Sequence, residues 1–225
     1  HILDNQDLDK AITQINDCNK THTICVIKKD SFDKVELHSE HQLNLSCYTP
    51  RSEFLIAMNQ QFKDTSTLFI GTTGNAAREM YSFMPDTSNF YMAGNMGGAL
   101  SLGFGAAKAG KKVIVCGGDA EFVMHMGGLT TAGRYADEVN LTYVLFDNEQ
   151  NKSTGGQNTY QKHLNYINLA KSSGFCVTDH VVNTVKEFES IIKDINGLNF
   201  ICIKCGLDEE TPRPPLNVVK VNEFR

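Results

Sequence analysis

An excess of positive charge is the first thing this sequence lacks. Its 225 residues carry 21 lysines and arginines against 26 aspartates and glutamates, for a net charge of -5. No basic run or patch breaks that balance, which argues against a nucleic-acid partner. Long apolar runs are missing too: no stretch approaches the roughly 18 apolar residues of a membrane span, so no membrane partner is expected. The opening residues, "HILDNQDLDKAI", lack the basic-then-apolar order of a secretory leader. The chain also begins without Met, and we expect a fragment or a processed product. There is no internal repeat and no low-complexity tract. Cys202 and Cys205 form a C-x-x-C, but the second pair that a zinc site needs is lacking. "NFICIKCG" alternates as a strand does, which sends those two side chains to opposite faces. The seven cysteines, an odd number, lie largely in apolar segments where free cysteine behaves as a small hydrophobe. A reducing, cytoplasmic setting is the expectation.

What is present is an alternation of strands and helices. Near the start, Leu8, Ile12 and Ile15 share one helical face, and the apolar centre of "TICVIKK" reads as a short strand. A polar connector follows. "TPRSEFLIAMNQQF" then predicts a helix with Thr49 as N-cap and Pro50 at its first position; Phe54, Met58 and Phe62 recur every four residues. Beyond it, "TLFIG", "VIVCG", "TYVLFDN", "FCVTDH" and "FICIKC" read as strands. "NAAREMYSF", "GALSLGFGAAKAG", "FVMHMGGLTTAGRYA", "HLNYINLAKSSG" and "TVKEFESIIKDI" read as helices. "TPRPPLNV" at 211–218 must be extended. Near-continuous apolar strands separated by helices predict an α/β fold: a three-layer sandwich around a mostly parallel sheet. The organisation breaks near residue 48, giving segments 1–48 and 49–225.

Four loops should gather at the carboxyl edge of that sheet, where open α/β folds bind ligands. They are "GTTGN" (71–75), "AGNMGG" (93–98), "GGDAE" (117–121) and "FDNEQNKSTGGQ" (146–157). Three are glycine-rich and precede helices, the arrangement that cradles phosphate. None fits G-x-G-x-x-G or G-x-x-x-x-G-K-[ST], so neither a Rossmann nor a Walker site is indicated. Asp119 and Asn148 each end a strand, with one helix between, and adjacent parallel strands would bring them together. A carboxylate and an amide oxygen are hard ligands, and Mg²⁺ takes such oxygens together with substrate phosphates. Asp119 as a plain helix N-cap is the competing reading; it leaves the matching loop at Asn148 unexplained.

Gly118-Asp119-Ala120 followed by Asp147-Asn148 resembles the cofactor motif of the thiamine diphosphate enzymes, with Ala120 for the usual glycine and Asp147 for the usual first asparagine. A finer resemblance runs through "VIKKDSF", "TTGNAARE", "VMHMGGLTTAG", "LFDNEQNKSTGGQNT" and "FICIKCGLDEETPRPP". It is to the phosphonopyruvate decarboxylases, with the sulfopyruvate decarboxylases as close relatives. The resemblance implies Mg²⁺ held by Asp119, Asn148 and the Gln150 carbonyl. It implies thiamine diphosphate contacted by Thr73, Gly74, Asn75, Gly94 and Met96, with Met96 holding the cofactor bent. Gly118 and the backbone of Ala120 and Glu121 would face the diphosphate. Glu121 departs from the small residue usual there, and its carboxylate would repel phosphate unless it turns away. Ser153 and Thr154 would lie near the cofactor and the reacting carbon, with Gln157 beside them. His125 is a further catalytic candidate, set against the commoner satisfied helix histidine; His163 and His180 read as surface residues.

The implied activity is decarboxylation of a 2-keto acid, phosphonopyruvate to phosphonoacetaldehyde and CO₂, with sulfopyruvate as the rival substrate. The resemblance further implies that residues 1–48 are the end of a pyrimidine-binding domain plus a linker, and that 49–225 bind the diphosphate. The glutamate that activates the cofactor in this family has no counterpart here. A pyrimidine-binding partner, from a missing N-terminus or a separate subunit, is therefore expected, in a homo-oligomer. Two other classes stay open: a non-catalytic cofactor-binding scaffold, and a flavodoxin-like nucleotide binder that needs no Mg²⁺.

Overall fold

The structure, a computed structural model, describes residues 2–3, 8–17, 26–28, 30–33, 35–36, 44–159, 163–207 and 210–211. The chain divides into two compact units, His1–Ser39 and Glu40–Arg225. In the first, β1 (Ile2–Leu3) and β2 (Val26–Ile27) pair in parallel around α1 (Leu8–Asp17). Among the described side chains of that helix Ala11 is buried, whereas Ile12 and Ile15 are exposed; the side chain of Leu8 lies outside the described residues.

The second unit is the alternation that the sequence predicts. In chain order it runs α2 (Arg51–Phe62), β3 (Leu68–Gly71), α3 (Asn75–Phe83), β4 (Ser88–Tyr91), α4 (Ala99–Lys108) and β5 (Lys112–Gly118). Then come α5 (Asp119–Met124), α6 (Gly127–Arg134), β6 (Asn140–Asp147), and a small antiparallel pair, β7 (Gln150–Asn151) with β8 (Gln157–Asn158). The described part closes with α7 (Tyr166–Ser172), β9 (Cys176–Val177), α8 (Val185–Ile192) and β10 (Leu198–Lys204). Six strands form one parallel sheet in the order β4-β3-β5-β6-β10-β9. From β3 the chain steps outward to β4, then returns to the other side of β3 for β5. That reversal is the switch point beside which open α/β sheets take ligands.

Each face of the sheet carries its own core. Phe54, Met58 and Phe62 of α2 pack with Phe69, Ile114, Phe146 and Phe188 on one side. Phe122, Leu129, Tyr143 and Phe200 fill the other. Phe54 meets Phe188 edge-on at 5.7 Å, and Tyr143 stacks on Phe200 at 5.8 Å, both favoured aromatic geometries. Cys202 belongs to the second core and Cys205 to the first, so the C-x-x-C splits across the sheet.

Several boundaries depart from expectation. Pro50 occupies the N-cap position rather than the first turn, with φ -58° and ψ 146°. It is held extended by a parallel bridge to Gly206, and Thr49, displaced from the cap, donates its hydroxyl to the Asn183 carbonyl (3.4 Å). The helix expected over 122–136 is two helices, broken at His125 and Met126. Gly127-Gly128 weakens a continuous helix there, at about 1 kcal/mol per glycine. "SNFY" is a strand that the sequence did not announce, because its burial alternates over only four residues at the sheet edge. Helix α7 starts at Tyr166, where Asn165 caps it by accepting from Asn168 N–H (2.9 Å). Of the segment 211–218, positions from 212 onward lie outside the described residues.

Candidate active site

Parallel pairing of β5 with β6 sets Gly118 against Phe146, so the residues just beyond, Asp119 and Asn148, emerge side by side. The Asn148 carboxamide reaches Asp119 Oδ1 at 3.2 Å and the Gln150 carbonyl oxygen at 3.0 Å; with its NH₂ turned toward them it donates to both. The Thr159 hydroxyl donates to Asp119 Oδ2 (2.9 Å). Asp119 and Asn148 are both buried. Burial, and then the nearby Asp147 charge, push the Asp119 carboxyl up to about 6, against the hydrogen bond from Thr159 and its own and Ala120's backbone N–H groups. Asp147 faces elsewhere: Lys204 Nζ pairs with it at 3.1 Å and with Glu149 at 2.5 Å.

These groups line a cleft with Thr72, Thr73, Gly74, Asn75, Met96, Gly118, Ala120, Glu121 and Lys152. The structure therefore brings together nearly every residue assigned above to the diphosphate and the metal. Gly74 adopts φ +104° and ψ -146°, a conformation open to glycine alone, and this carries the chain from β3 into α3. Thr73 Oγ1 accepts from Gly94 N–H (2.9 Å) and can donate to the Met92 or the Gly94 carbonyl, each 2.9 Å away. Gly94 itself lies outside the cleft lining; Thr73 ties its loop to the end of β3.

Glu121 lines the cleft and is itself buried. Its Oε2 accepts from the Tyr143 hydroxyl (2.7 Å). Burial raises its carboxyl above the usual range, and the hydrogen bond from Tyr143 opposes the shift.

His125 stands apart from the cleft. Its Nδ1 donates to the Gly97 carbonyl (3.1 Å), and it borders a neighbouring groove beside Gly94 and Leu102. His163 and His180 are exposed, and His180 pairs with Glu187. Thr154 is exposed at the end of a 3-10 turn, Lys152–Thr154, and donates to the Asn151 carbonyl (3.3 Å). The side chain of Ser153 lies outside the described residues. The Gln157 carboxamide oxygen is buried and has no partner among the described residues.

Three residues were missed by sequence reasoning. Arg51 lines the cleft from α2, and its Nε and Nη2 form a buried fork on Glu79 (2.6 and 2.8 Å). Thr159 reaches Asp119 from 40 positions away. No spacing rule points to either. Thr72 lay within a flagged loop; its hydroxyl is buried beside Glu121 and forms no hydrogen bond of good geometry.

Residues 70–203 match the family described as thiamine pyrophosphate enzyme, C-terminal TPP binding domain. This chain belongs to that family. It is 36% identical over 107 residues to a phosphonopyruvate decarboxylase of Streptomyces viridochromogenes, covering 47% of this chain and 27% of that protein. It is 40% identical over 111 residues to the sulfopyruvate decarboxylase subunit beta of Methanothermobacter thermautotrophicus, covering 49% and 60%. The corresponding subunit of Methanocaldococcus jannaschii is 36% identical over 134 residues, covering 59% and 69%. The chain thus spans less than two thirds of the first two relatives. Among solved structures, the benzoylformate decarboxylase of Polynucleobacter necessarius superposes with a TM-score of 0.59 at 16% identity, over 76% of this chain and 36% of that one. The 4-hydroxybenzoylformate decarboxylase of Rhodococcus jostii RHA1 gives 0.58 at 14% identity, over 80% and 36%. The fold of the TPP-binding domain is shared at low identity. Among the described residues no helix is long and apolar enough to cross a membrane.

Proposed function

We propose that this chain is the diphosphate-binding part of a thiamine diphosphate- and Mg²⁺-dependent decarboxylase acting on a 2-keto acid with an anionic tail, phosphonopyruvate first. One observation carries the reading: Asp119, Asn148 and the Gln150 carbonyl converge within 3.2 Å at the ends of two adjacent strands. A donor set of oxygens alone is what Mg²⁺ prefers. With the Asn148 carbonyl oxygen turned inward, the trio is an acceptor-only cluster that a cation would satisfy. The buried Thr72 hydroxyl, without a well-formed bond of its own, offers a donor within the cleft.

Thiamine diphosphate, when bound, supplies the electron sink for loss of CO₂. The chain's own part is to bind and orient. Asp119, Asn148 and Gln150 would hold the cation. Asn75 and the backbone around Gly74, Gly118 and Ala120 would receive the diphosphate, and Met96 would press on the cofactor's middle. We assign the 152–157 turn, with Ser153 and Thr154, to the keto acid, and Lys152 at its start brings positive charge to the cleft. Residues 1–48 are proposed as the end of a pyrimidine-binding domain with its linker, whose remainder a partner supplies.

A second reading, the beta subunit of a sulfopyruvate decarboxylase, is favoured by the larger share of those relatives that is matched, 69% for the Methanocaldococcus jannaschii protein against 27% for the Streptomyces viridochromogenes enzyme. Calorimetric titration of the chain with thiamine diphosphate tests the shared core. Mg²⁺-dependent binding is expected, weakened at least about tenfold in Asp119→Ala, the scale of one charge-assisted contact. Equal affinity with and without Mg²⁺, or in the variant, refutes the reading. CO₂ release from the two keto acids, with the partner domain present, then ranks the substrates.

A further inference from the structure

We infer that Thr73 is a positioning residue: its hydroxyl pins residue 94 to the end of β3 and so fixes the loop that carries Met96, rather than reaching a ligand itself. The parallel ladder between β3 and β4 ends where Met92 N–H donates to the Gly71 carbonyl (3.0 Å). Thr72 N–H then turns to the other neighbour, the Cys116 carbonyl of β5 (3.1 Å). Past that point no backbone hydrogen bond joins the 93–98 loop to β3 among the described residues. The Thr73 side chain takes over. Its Oγ1 accepts from Gly94 N–H (2.9 Å), and its single hydrogen can go to the Met92 or the Gly94 carbonyl, each 2.9 Å away.

The loop needs such a pin. Gly94, Asn95 and Gly97 all take positive φ, at 84°, 52° and 91°, a backbone that no helix or strand ladder maintains. A Cβ at Gly94 would meet nothing within 4 Å, so no packing on that side holds the residue. The same loop borders two spaces. Met96 lines the cleft with Thr73, while Met92, Gly94 and Asn95 line the neighbouring groove with Leu102 and His125. Whatever sets residue 94 therefore sets where Met96 joins the cleft wall. A hydroxyl also makes the pin tolerant of a ligand. A donor that takes the Gly94 carbonyl leaves the Met92 carbonyl to the hydroxyl hydrogen, and the bond from Gly94 N–H is kept either way. Valine at 73 has the same branched shape but can neither accept nor donate, and that N–H would lose its partner on β3.

The affinity arm of the test rests on the function proposed above; the exchange arm does not. Amide hydrogen exchange would be followed by NMR, without ligand, in the wild-type chain and in Thr73→Val and Thr73→Ser. Exchange at Gly94 should rise about fivefold or more in Thr73→Val and return most of the way in Thr73→Ser. Gly110, whose N–H is bonded to the Ala107 carbonyl (2.9 Å), should stay unchanged. With Mg²⁺ present, thiamine diphosphate affinity should fall at least about fivefold in Thr73→Val and recover in Thr73→Ser, whereas inorganic pyrophosphate, which can fill only the cleft, should bind all three chains within about twofold. Unchanged exchange at Gly94 in Thr73→Val overturns the inference. So does an equal rise in Thr73→Ser, which marks lost packing of the methyl group. Thiamine diphosphate binding that Thr73→Val leaves intact overturns it too, since the pin would then position nothing. A pyrophosphate affinity that falls as far as that for thiamine diphosphate does the same, since the side chain would then touch the diphosphate itself. If exchange follows the expected order but the wild type binds no thiamine diphosphate, the pin stands and the cofactor reading falls.

Discussion

Gly117 sits where the site is most crowded, and its neighbours cannot yield. Tyr143 is fully buried and held by Glu121, so an added methyl that would lie 1.9 Å from its hydroxyl forces the ring or the strand to move. Overpacking of this kind costs about 1–3 kcal/mol or more. Gly117→Ala should lower the urea midpoint accordingly, whereas Gly105→Ala should raise it. Gly105 is exposed within α4, and a Cβ there meets nothing within 4 Å, so the helix should gain about 0.5–1 kcal/mol. If both changes act alike, the crowding at Gly117 is not what governs the position. At this scale the sequence speaks where chemistry follows strand order. Asp119 and Asn148 were legible because one crossover between parallel strands fixes where both ends arrive. Thr159 and Tyr143 were not, since their partners lie 40 and 22 positions away and nothing local prefers them.

Helices α2 and α3 are stapled by a buried ion pair that spacing could not disclose. Arg51 and Glu79 are both nearly inaccessible, with Nε–Oε2 at 2.6 Å. Removing the cation alone strands a carboxylate in the interior, and breaking such a pair costs about 3–5 kcal/mol. Arg51→Ala is expected to lose that much in chemical denaturation, and to loosen the cleft wall that Arg51 lines. A loss below about 1 kcal/mol would mean that water reaches Glu79 and the pair does not staple the helices. Strand β10 makes a second prediction. Burial pushes the Cys202 and Cys205 thiols up to about 12, as it does Cys116 in β5. A thiol that stays protonated and inaccessible does not alkylate. Under native conditions an alkylating reagent should modify Cys47 and Cys176, which are exposed, and reach these three only on unfolding, as peptide mass mapping would show. Modification of Cys202 or Cys205 in the folded chain would contradict the two-sided core. Elements were most readable where a glycine loop opens onto an amphipathic period, as in α3, found over the residues expected. The run 122–136 misled because its apolar period continues through Gly127-Gly128, while the His125–Gly97 contact that turns the chain is long-range.

At the scale of the whole 40–225 unit, the reversal of strand order between β3 and β5 decides where a ligand can bind. The loops leaving β3, β5 and β6 meet there, and the cleft they form joins three consecutive strands of the sheet. A ligand bound across three loops stabilises the folded state without contacting the cores on either face. Linkage gives the size: at a free ligand concentration of 100 times its Kd the gain is about 2.7 kcal/mol. For a unit of this size each kcal/mol moves Tm by about 2–4 °C. Saturating thiamine diphosphate with Mg²⁺ should therefore raise the melting temperature by about 5–10 °C, and a chelator should reverse the rise. At the same ligand concentration Asp119→Ala should show at most about half that rise, since the proposed cation would bridge the two strand ends through that carboxylate. Pyrophosphate with Mg²⁺ should reproduce part of the rise, since the cleft is read as the diphosphate end of the site. A shift that survives chelation would place the binding energy in the glycine loops alone and remove the metal from the mechanism. No shift with either ligand, in a wild-type chain that melts cooperatively, would leave Asp119 as a first-turn residue of α5, whose N-cap is Gly118, and nothing more.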